Sequence, residues 1–358
     1  MIPDYITKKI DPKQVIKNKQ VRAKRKALLE VRKELGVTHE EVRRLFDCKN
    51  TWDYPNTPVK EDRGTHDNKP SKDPILQLAN IVYDYWHDEQ ARESWDNENA
   101  TVDVYKNFGS RYNNAFWDGE GLVFGNGDQV YFKTFLTLDV MAHEFGHAVT
   151  DTSSKLIYYG QSGALNEHFS DVTGIAIKHY INDQEGESKN WIIGEGLFTD
   201  RVSGVGLRSM DNPGSAYNDD VLGQDPQPGN MSDYVETDDD EGGVHINSGI
   251  PNKAFFNFCQ YIGANSYNIP FNIWYNTLLR CSPNTDFNEF VEIMINFVAN
   301  DPDLKQYRNK LVQAWKDVGL AEDINIEDPD PGPGPDKPHK CFATRQIKKI
   351  KRIVNRSK

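Results

Sequence analysis

The sequence predicts an α+β fold of two lobes, a mixed β-rich N-terminal lobe and a mostly helical C-terminal lobe, and three observations carry that expectation. The chain has 358 residues, enough for one large core or for two subdomains around a cleft when typical domains run about 100 to 200 residues. Between positions 100 and 135, short apolar runs such as Ala115-Phe116-Trp117 and Leu122-Val123-Phe124 are punctuated by Gly119, Gly121, Gly125 and Gly127, a pattern of short strands and tight turns. Beyond Leu138 helical periodicity dominates, with a Gly- and Asp-rich excursion over 194–249 and renewed helices over 251–319.

Taken in order, residues 13–46 alternate basic side chains with Val15, Ile16, Val21, Leu28, Leu29, Val31, Leu35 and Val42, broken at Gly36-Val37-Thr38. This spacing predicts two helices, the second capped by Thr38 with Glu41 three residues later. A polar, Pro-rich stretch over 49–74 reads as loop, and helical periodicity returns over 75–85. After Leu320 the run Glu327-Asp328-Pro329-Asp330-Pro331-Gly332-Pro333-Gly334-Pro335 is too rich in proline and acid to pack, so an extended linker is expected.

Hydrophobic residues make up 37% of the chain and charged ones 27%, mean hydropathy is -0.72, and no apolar run approaches the roughly 18 residues a membrane span needs. A soluble globular protein is expected. The start lacks a basic segment followed by an apolar stretch, so no signal peptide is expected, and the chain is placed in the cytoplasm or exported by a non-classical route. Cys48, Cys259, Cys281 and Cys341 are too scattered for a disulfide framework and read as free thiols. Charge is segregated: residues 1–45 carry net +7 and residues 337–358 carry +9 with no acid, which against a total of -12 leaves -28 on the middle. The simplest partner for a basic start is the acidic body itself.

The chemistry is concentrated in Met141-Ala142-His143-Glu144-Phe145-Gly146-His147. Its H-E-x-x-H spacing puts both imidazoles on one helical face toward a common metal, with Glu144 beside that face and able to reach a water there. A zinc site needs a third protein ligand. Thr150 and Ser153 fill the places where H-x-x-G-x-x-H would supply glycine and a third histidine, which excludes that class. Twenty residues after His147 stands Glu167, in Gly163-Ala164-Leu165-Asn166-Glu167-His168-Phe169-Ser170-Asp171. Glu167 and Asp171 share a face by i, i+4 spacing, so Glu167 can be the ligand while Asp171 braces His143, because a metal-bound imidazole usually donates its other N–H to a carboxylate. His168 reads as a surface residue.

These motifs, with Tyr112-Asn113-Asn114-Ala115-Phe116-Trp117, Leu156-Ile157-Tyr158, Leu207-Arg208-Ser209-Met210 and Gly242-Gly243-Val244-His245-Ile246-Asn247-Ser248-Gly249, resemble the thermolysin family of zinc metallopeptidases, and within it the protealysin-like branch, over roughly residues 110–320. The resemblance implies a thermolysin-like two-lobed fold with the zinc helix between the lobes, and a zinc metalloendopeptidase acting on protein or peptide substrates. It implies zinc on His143, His147 and Glu167, Glu144 as general base, Tyr158 and His245 as donors to the oxyanion, and Asp240 orienting His245. Asn114 and Ala115 would pair with an extended substrate, Arg208 would bond its carbonyl, and Leu207, Val140 and Ile193 would form an apolar pocket after the scissile bond.

The start Ile2-Pro3-Asp4-Tyr5-Ile6 resembles that branch's prosegment, with Asp4 where a second proline is usual. The resemblance thus implies a proenzyme whose own N-terminal segment is a partner. The expected organisation is a prosegment over 1–50, cut in the polar stretch that begins near Asp47, lobes over 51–153 and 154–322, a linker over 323–338 and a basic tail over 339–358. Calcium is not expected at the family's double site, because Lys178 stands where a glutamate is usual and Val205 where an aspartate is. Lys178 is expected to replace the cations as a fixed charge near Asp139 and Glu195. No specific nucleic-acid partner is expected; the basic tail, with Ile347, Ile350 and Val354 on one helical stripe, suggests at most weak contact with anionic surfaces.

Overall fold

The computed structural model describes residues 2–31, 42–63, 72–185 and 189–326. The linker and basic tail beyond Ile326, and the expected cap at Thr38 and Glu41, lie outside the described residues.

The chain opens with two helices, α1 (Asp4–Ile10) and α2 (Pro12–Val31). Five strands follow in the N-terminal lobe: β1 (Val42–Asp47), β2 (Lys60–Arg63), β3 (Val102–Lys106), β4 (Ala115–Trp117) and β5 (Gly121–Phe124), with α3 (Pro74–Asp84) between β2 and β3. They form one mixed sheet in the order β2-β1-β3-β5-β4. The pairs β1/β3 and β3/β5 are parallel, and the outer pairs are antiparallel. Asp73 caps α3 by accepting from the backbone N–H groups of Ile75 and Leu76, ahead of Pro74 in the first turn.

Where the expected second helix falls on described residues, over 42–46, the chain is instead a strand. Val42–Asp47 is a strand paired on both sides, Arg43 opposite Arg63-neighbour Asp62 and Leu45 opposite Val104. Its arginines explain why the sequence pattern misleads. Arg43 is 2% exposed with its guanidinium 3.8 Å from the centre of the Tyr83 ring, and Arg44 pairs with Asp103 at 2.6–2.7 Å. The expected boundary at residue 50 would leave β1, paired on both sides within the sheet, on the prosegment side.

Helix α4 (Leu138–Thr152) crosses behind the sheet and packs along α5 (Gly160–Glu185). Gly146 makes that closeness possible: a Cβ there would stand 2.9 Å from the Ser170 Cα on α5. A glycine that weakens an isolated helix by about 1 kcal/mol here lets two backbones meet. Beyond a two-stranded ribbon of β6 (Ile192–Ile193) and β7 (Arg208–Ser209), the C-terminal lobe is helical: α6 (Asp240–Asn247), α7 (Gly249–Ile262), α8 (Ile269–Leu278), α9 (Phe287–Asn300) and α10 (Arg308–Lys316). One apolar core runs from Leu45 and Trp117 through Val140, Phe169 and Trp274 to Trp315, and it includes Ile2 and Ile6 of the N-terminal segment. Among the described residues no helix is long and apolar enough to cross a membrane.

Candidate active site

On α4 the one-turn spacing brings the rings of His143 and His147 to 4.7 Å, and ligand atoms of His143, Glu144 and His147 lie within 4.8 Å of one another. From α5, Glu167 extends between the two imidazoles. Its Oε2 lies 3.4 Å from His143 Nε2 and its Oε1 lies 3.3 Å from His147 Nε2. Donors about 2.0–2.1 Å from a tetrahedral zinc stand roughly 3.4 Å apart, so this set fits such an ion. His143 Nε2 and Glu167 Oε2 are also buried with no hydrogen-bond partner, an arrangement that is costly without a cation to satisfy both. Burial alone would raise the Glu167 carboxyl, but His245 and His147 outweigh it and hold its pKa well below the usual range.

The far side of each imidazole is fixed. Asp171, one turn beyond Glu167, sits 2.9 Å from His143 Nδ1. Asp171 in turn accepts from Arg208 at 2.7–2.8 Å and from Asn252 at 2.9 Å. Burial opposes its ionisation, yet Arg208 and His143 keep it strongly acidic. His147 Nδ1 is 2.7 Å from Asn166 Oδ1, a contact that sequence reasoning missed. The signal for it was only adjacency to Glu167.

Glu144 accepts the Trp117 backbone N–H at 2.9 Å, which ties the carboxylate to the edge strand β4. Opposite it, Tyr158 OH bonds to Glu167 Oε1 and lies 3.2 Å from His245 Nε2. Asp240 holds His245 twice, through the backbone N–H at 2.8 Å and Nδ1 at 2.7 Å. That double contact needs a tight left-handed run, Asp240 to Gly243, with φ of 80° at Gly242 and 76° at Gly243, where glycine carries no penalty. Burial disfavours a charged His245, but Asp240 and Glu167 prevail and push it up to about 9.

Ala115 begins β4, the edge strand of the sheet, and Asn114 stands immediately before it. Leu207, Val140 and Ile193 are brought into one region, with the Leu207 N–H donating to the Ile193 carbonyl at 2.8 Å, but all three are buried in the main core. His168 is not on the surface: it is fully buried, 2.7 Å from Asn252 Oδ1, and accepts from the Trp274 indole at 2.7 Å. Lys178 meets Glu195 at 2.8 Å, with Asn190 and the Ile192 carbonyl at 3.0 and 3.2 Å. Asp139 is occupied elsewhere, by Thr137 and the N–H groups of Val140 and Gly194, so the lysine neutralises one of the two expected acids.

The cleft is filled by the chain's own start. Ile2 donates its N–H to Asn114 Oδ1 at 2.8 Å, Arg25 binds Asp151 with two bonds of 2.7 Å, and Arg22 reaches Asp4 and Glu241. Between these groups and Glu144, His147, Tyr158 and His245 a cavity of about 40 Å³ remains.

Residues 25–151 match the model of the thermolysin metallopeptidase catalytic domain, and residues 154–320 match that of the thermolysin metallopeptidase alpha-helical domain. The chain belongs to the thermolysin family of metallopeptidases. Within this family it is 38% identical to the extracellular metalloprotease of Pectobacterium carotovorum subsp. carotovorum over 285 residues, 78% of this chain and 81% of that protein. It is likewise 38% identical to bacillolysin of Bacillus subtilis (strain 168) over 284 residues, 77% of this chain and 50% of that one. The precursor of protealysin, a metalloproteinase from Serratia proteamaculans, superposes with a TM-score of 0.72 at 33% identity, covering 83% of this chain and 97% of that one. The thermolysin-like fold and the metallopeptidase class follow from these matches together.

Proposed function

We propose that this metallopeptidase is a zinc endopeptidase made as a proenzyme, whose N-terminal helices close the cleft until they are cut away ahead of Val42. The observation that carries this reading is the convergence of His143, His147 and Glu167, with 3.3–3.4 Å between donor atoms, on the floor of the cleft that Ile2, Arg22 and Arg25 fill. His143, His147 and Glu167 would hold the metal, with Asp171 and Asn166 fixing the two rings. When bound, zinc supplies Lewis acidity and brings the pKa of a water toward neutrality.

The chain's own residues do the remaining work. Glu144, held by the Trp117 N–H, takes the proton of the attacking water and delivers it to the leaving amine. Tyr158 and the Asp240-backed His245 donate to the oxyanion from the opposite wall. Asn114 and Ala115 offer an edge for an extended substrate, Arg208 fixes Asp171 and faces the substrate carbonyl, and Leu207, Val140 and Ile193 favour a hydrophobic residue after the scissile bond. Lys178 supplies at Glu195 the positive charge that calcium would otherwise bring, so millimolar calcium should leave the melting temperature unchanged.

The test is metal analysis together with cleavage of an unstructured protein. Zinc near one per processed chain is expected, with activity lost to a phenanthroline chelator and restored by zinc. A zinc-loaded, processed chain that cleaves nothing, or cleavage indifferent to the chelator, would overturn the reading.

A further inference from the structure

We propose that Asp151 determines specificity, and that the recess it forms with Trp117 and Tyr158 takes an arginine side chain of the substrate. The inference deepens the endopeptidase reading above and rests on it.

Asp151 lies one turn beyond His147, so His143, His147 and Asp151 occupy one face of α4 at successive i, i+4 positions. It is 7% exposed, and its carboxylate makes three hydrogen bonds, two from Arg25 at 2.7 Å each and one from the Trp117 indole at 3.0 Å. The Arg25 guanidinium also stands 5.7 Å from the centre of the Tyr158 ring. This is a complete guanidinium site, with a bidentate acid, a flanking aromatic face and an indole that orients the acid.

Its present occupant comes from the N-terminal helices. Arg25 belongs to α2, the element that the proposed processing removes. With α2 gone, the indole of Trp117 is the remaining partner of the Asp151 carboxylate among the described residues, and a largely buried carboxylate favours a charged donor in place of the lost one. The recess also lies where a substrate side chain would arrive. Trp117 ends the edge strand β4, its backbone N–H holds Glu144, and Arg25 lines the same cavity as Glu144 and His147. A peptide extended along that edge would therefore bring a side chain to Asp151 within a residue or two of the scissile bond. The two parallel bonds match a planar guanidinium rather than the point charge of lysine.

The experiment uses the processed enzyme and quenched-fluorescent peptides that differ at one position, arginine against its neutral isostere citrulline, scanned over two positions on each side of the cleaved bond. At one position arginine should raise kcat/KM by about 10- to 100-fold, the range of charge-assisted bonds to a buried acid. In Asp151→Asn that ratio should fall to within about twofold, and Asp151→Glu should restore part of it. A wild-type ratio near one at all positions, or a preference that survives in Asp151→Asn, overturns the proposal. Should the Asn variant fail to fold, inhibition of the wild type decides: acetyl-arginine amide should compete and acetyl-citrulline amide should not, and equal inhibition overturns it. Absence of cleavage of every peptide by zinc-loaded enzyme would instead sink the endopeptidase reading, whereas cleavage at equal rates sinks only this one.

Discussion

Helices α4 and α5 build the floor of the cleft, and α1 and α2 form its cover, but the two pairs are held by different forces. Every residue of α4 from Asp139 to Asp151 is buried, and its contact with α5 is backbone against backbone at Gly146. By contrast, among its described side chains α2 buries Gln14, Val15, Asn18 and Val21, half of them polar, and leaves Ile16 64% exposed. Its grip is made of named polar contacts: Gln14 with the Asn113 N–H and Arg111 carbonyl, Asn18 with Tyr112, and Arg25 with Asp151. The most deeply buried apolar side chains described in the cover are Ile2 and Ile6, each 1% exposed, against 9% for Val15 and Val21. A floor set by packing is rigid before any ligand arrives, whereas a cover set by hydrogen bonds and ion pairs leaves intact lobes behind it once its backbone is cut.

The sharpest test of the floor is chemical. Glu144→Gln keeps the shape of a side chain whose Oε2 accepts from Trp117, and it leaves His143, His147 and Glu167 in place. Zinc content should be unchanged while peptide cleavage falls by about 10³-fold or more. Near-normal turnover by the zinc-loaded variant would show that the floor holds a different base.

A mechanical test is next in size. Gly146→Val drives a branched side chain into the Ser170 backbone, which cannot yield without separating α4 from α5. Overpacking of this kind costs about 3 kcal/mol, so the melting temperature should drop by roughly 6–12 °C, and zinc affinity should fall with it because Glu167 moves away from the histidines. A variant with wild-type stability and zinc content would mean that the helix pair is more pliable than its packing implies.

How much of this contrast is legible in the sequence follows from the range of the interactions. The floor reads well because its determinants are local: His143, His147 and Asp151 by one-turn spacing, Glu167 and Asp171 likewise, and Asp240 five residues from His245. What fails to read is charge that turns inward toward distant partners. Arg43 and Arg44 look like the polar face of a helix, yet they lie in β1 because Tyr83 and Asp103 receive them. His168 looks exposed beside a ligand, but Trp274 and Asn252, each more than 80 residues away in the chain, enclose it. The net charge of the first 45 residues correctly suggests docking on an acidic body, but it cannot say which cation meets which acid.

For the cover, Arg25→Gln should have the third largest effect. It removes the bidentate pair with Asp151, whose partners are 14% and 6% exposed, and truncating one member of a buried charged pair commonly costs 3 kcal/mol or more. The lag before activity appears in the purified proenzyme should shorten by about tenfold or more, read as a time course of cleavage alongside the N-terminal sequence. An unaltered lag would locate the grip in Ile2 and Ile6 rather than in the ion pair.

The smallest effect is expected at Lys8, and it separates kinds of charge within the cover. Lys8 Nζ sits 2.6 Å from Asp239 Oδ1, as close as the Arg25–Asp151 pair at 2.7 Å, but the two side chains are 48% and 68% exposed. Water screens such a pair, and exposed pairs are worth about 0–1 kcal/mol, whereas the Arg25 pair is shielded by Trp117 and Tyr158. Lys8→Ala should therefore change the lag by less than about twofold at 0.15 M salt, where the Debye length is about 8 Å. Raising the salt to about 1 M should abolish even that difference while leaving a large gap between wild type and Arg25→Gln. If Lys8→Ala shortened the lag as much as Arg25→Gln does, total charge rather than burial would govern the cover, and the two variants would then lose their effect in parallel as salt is added.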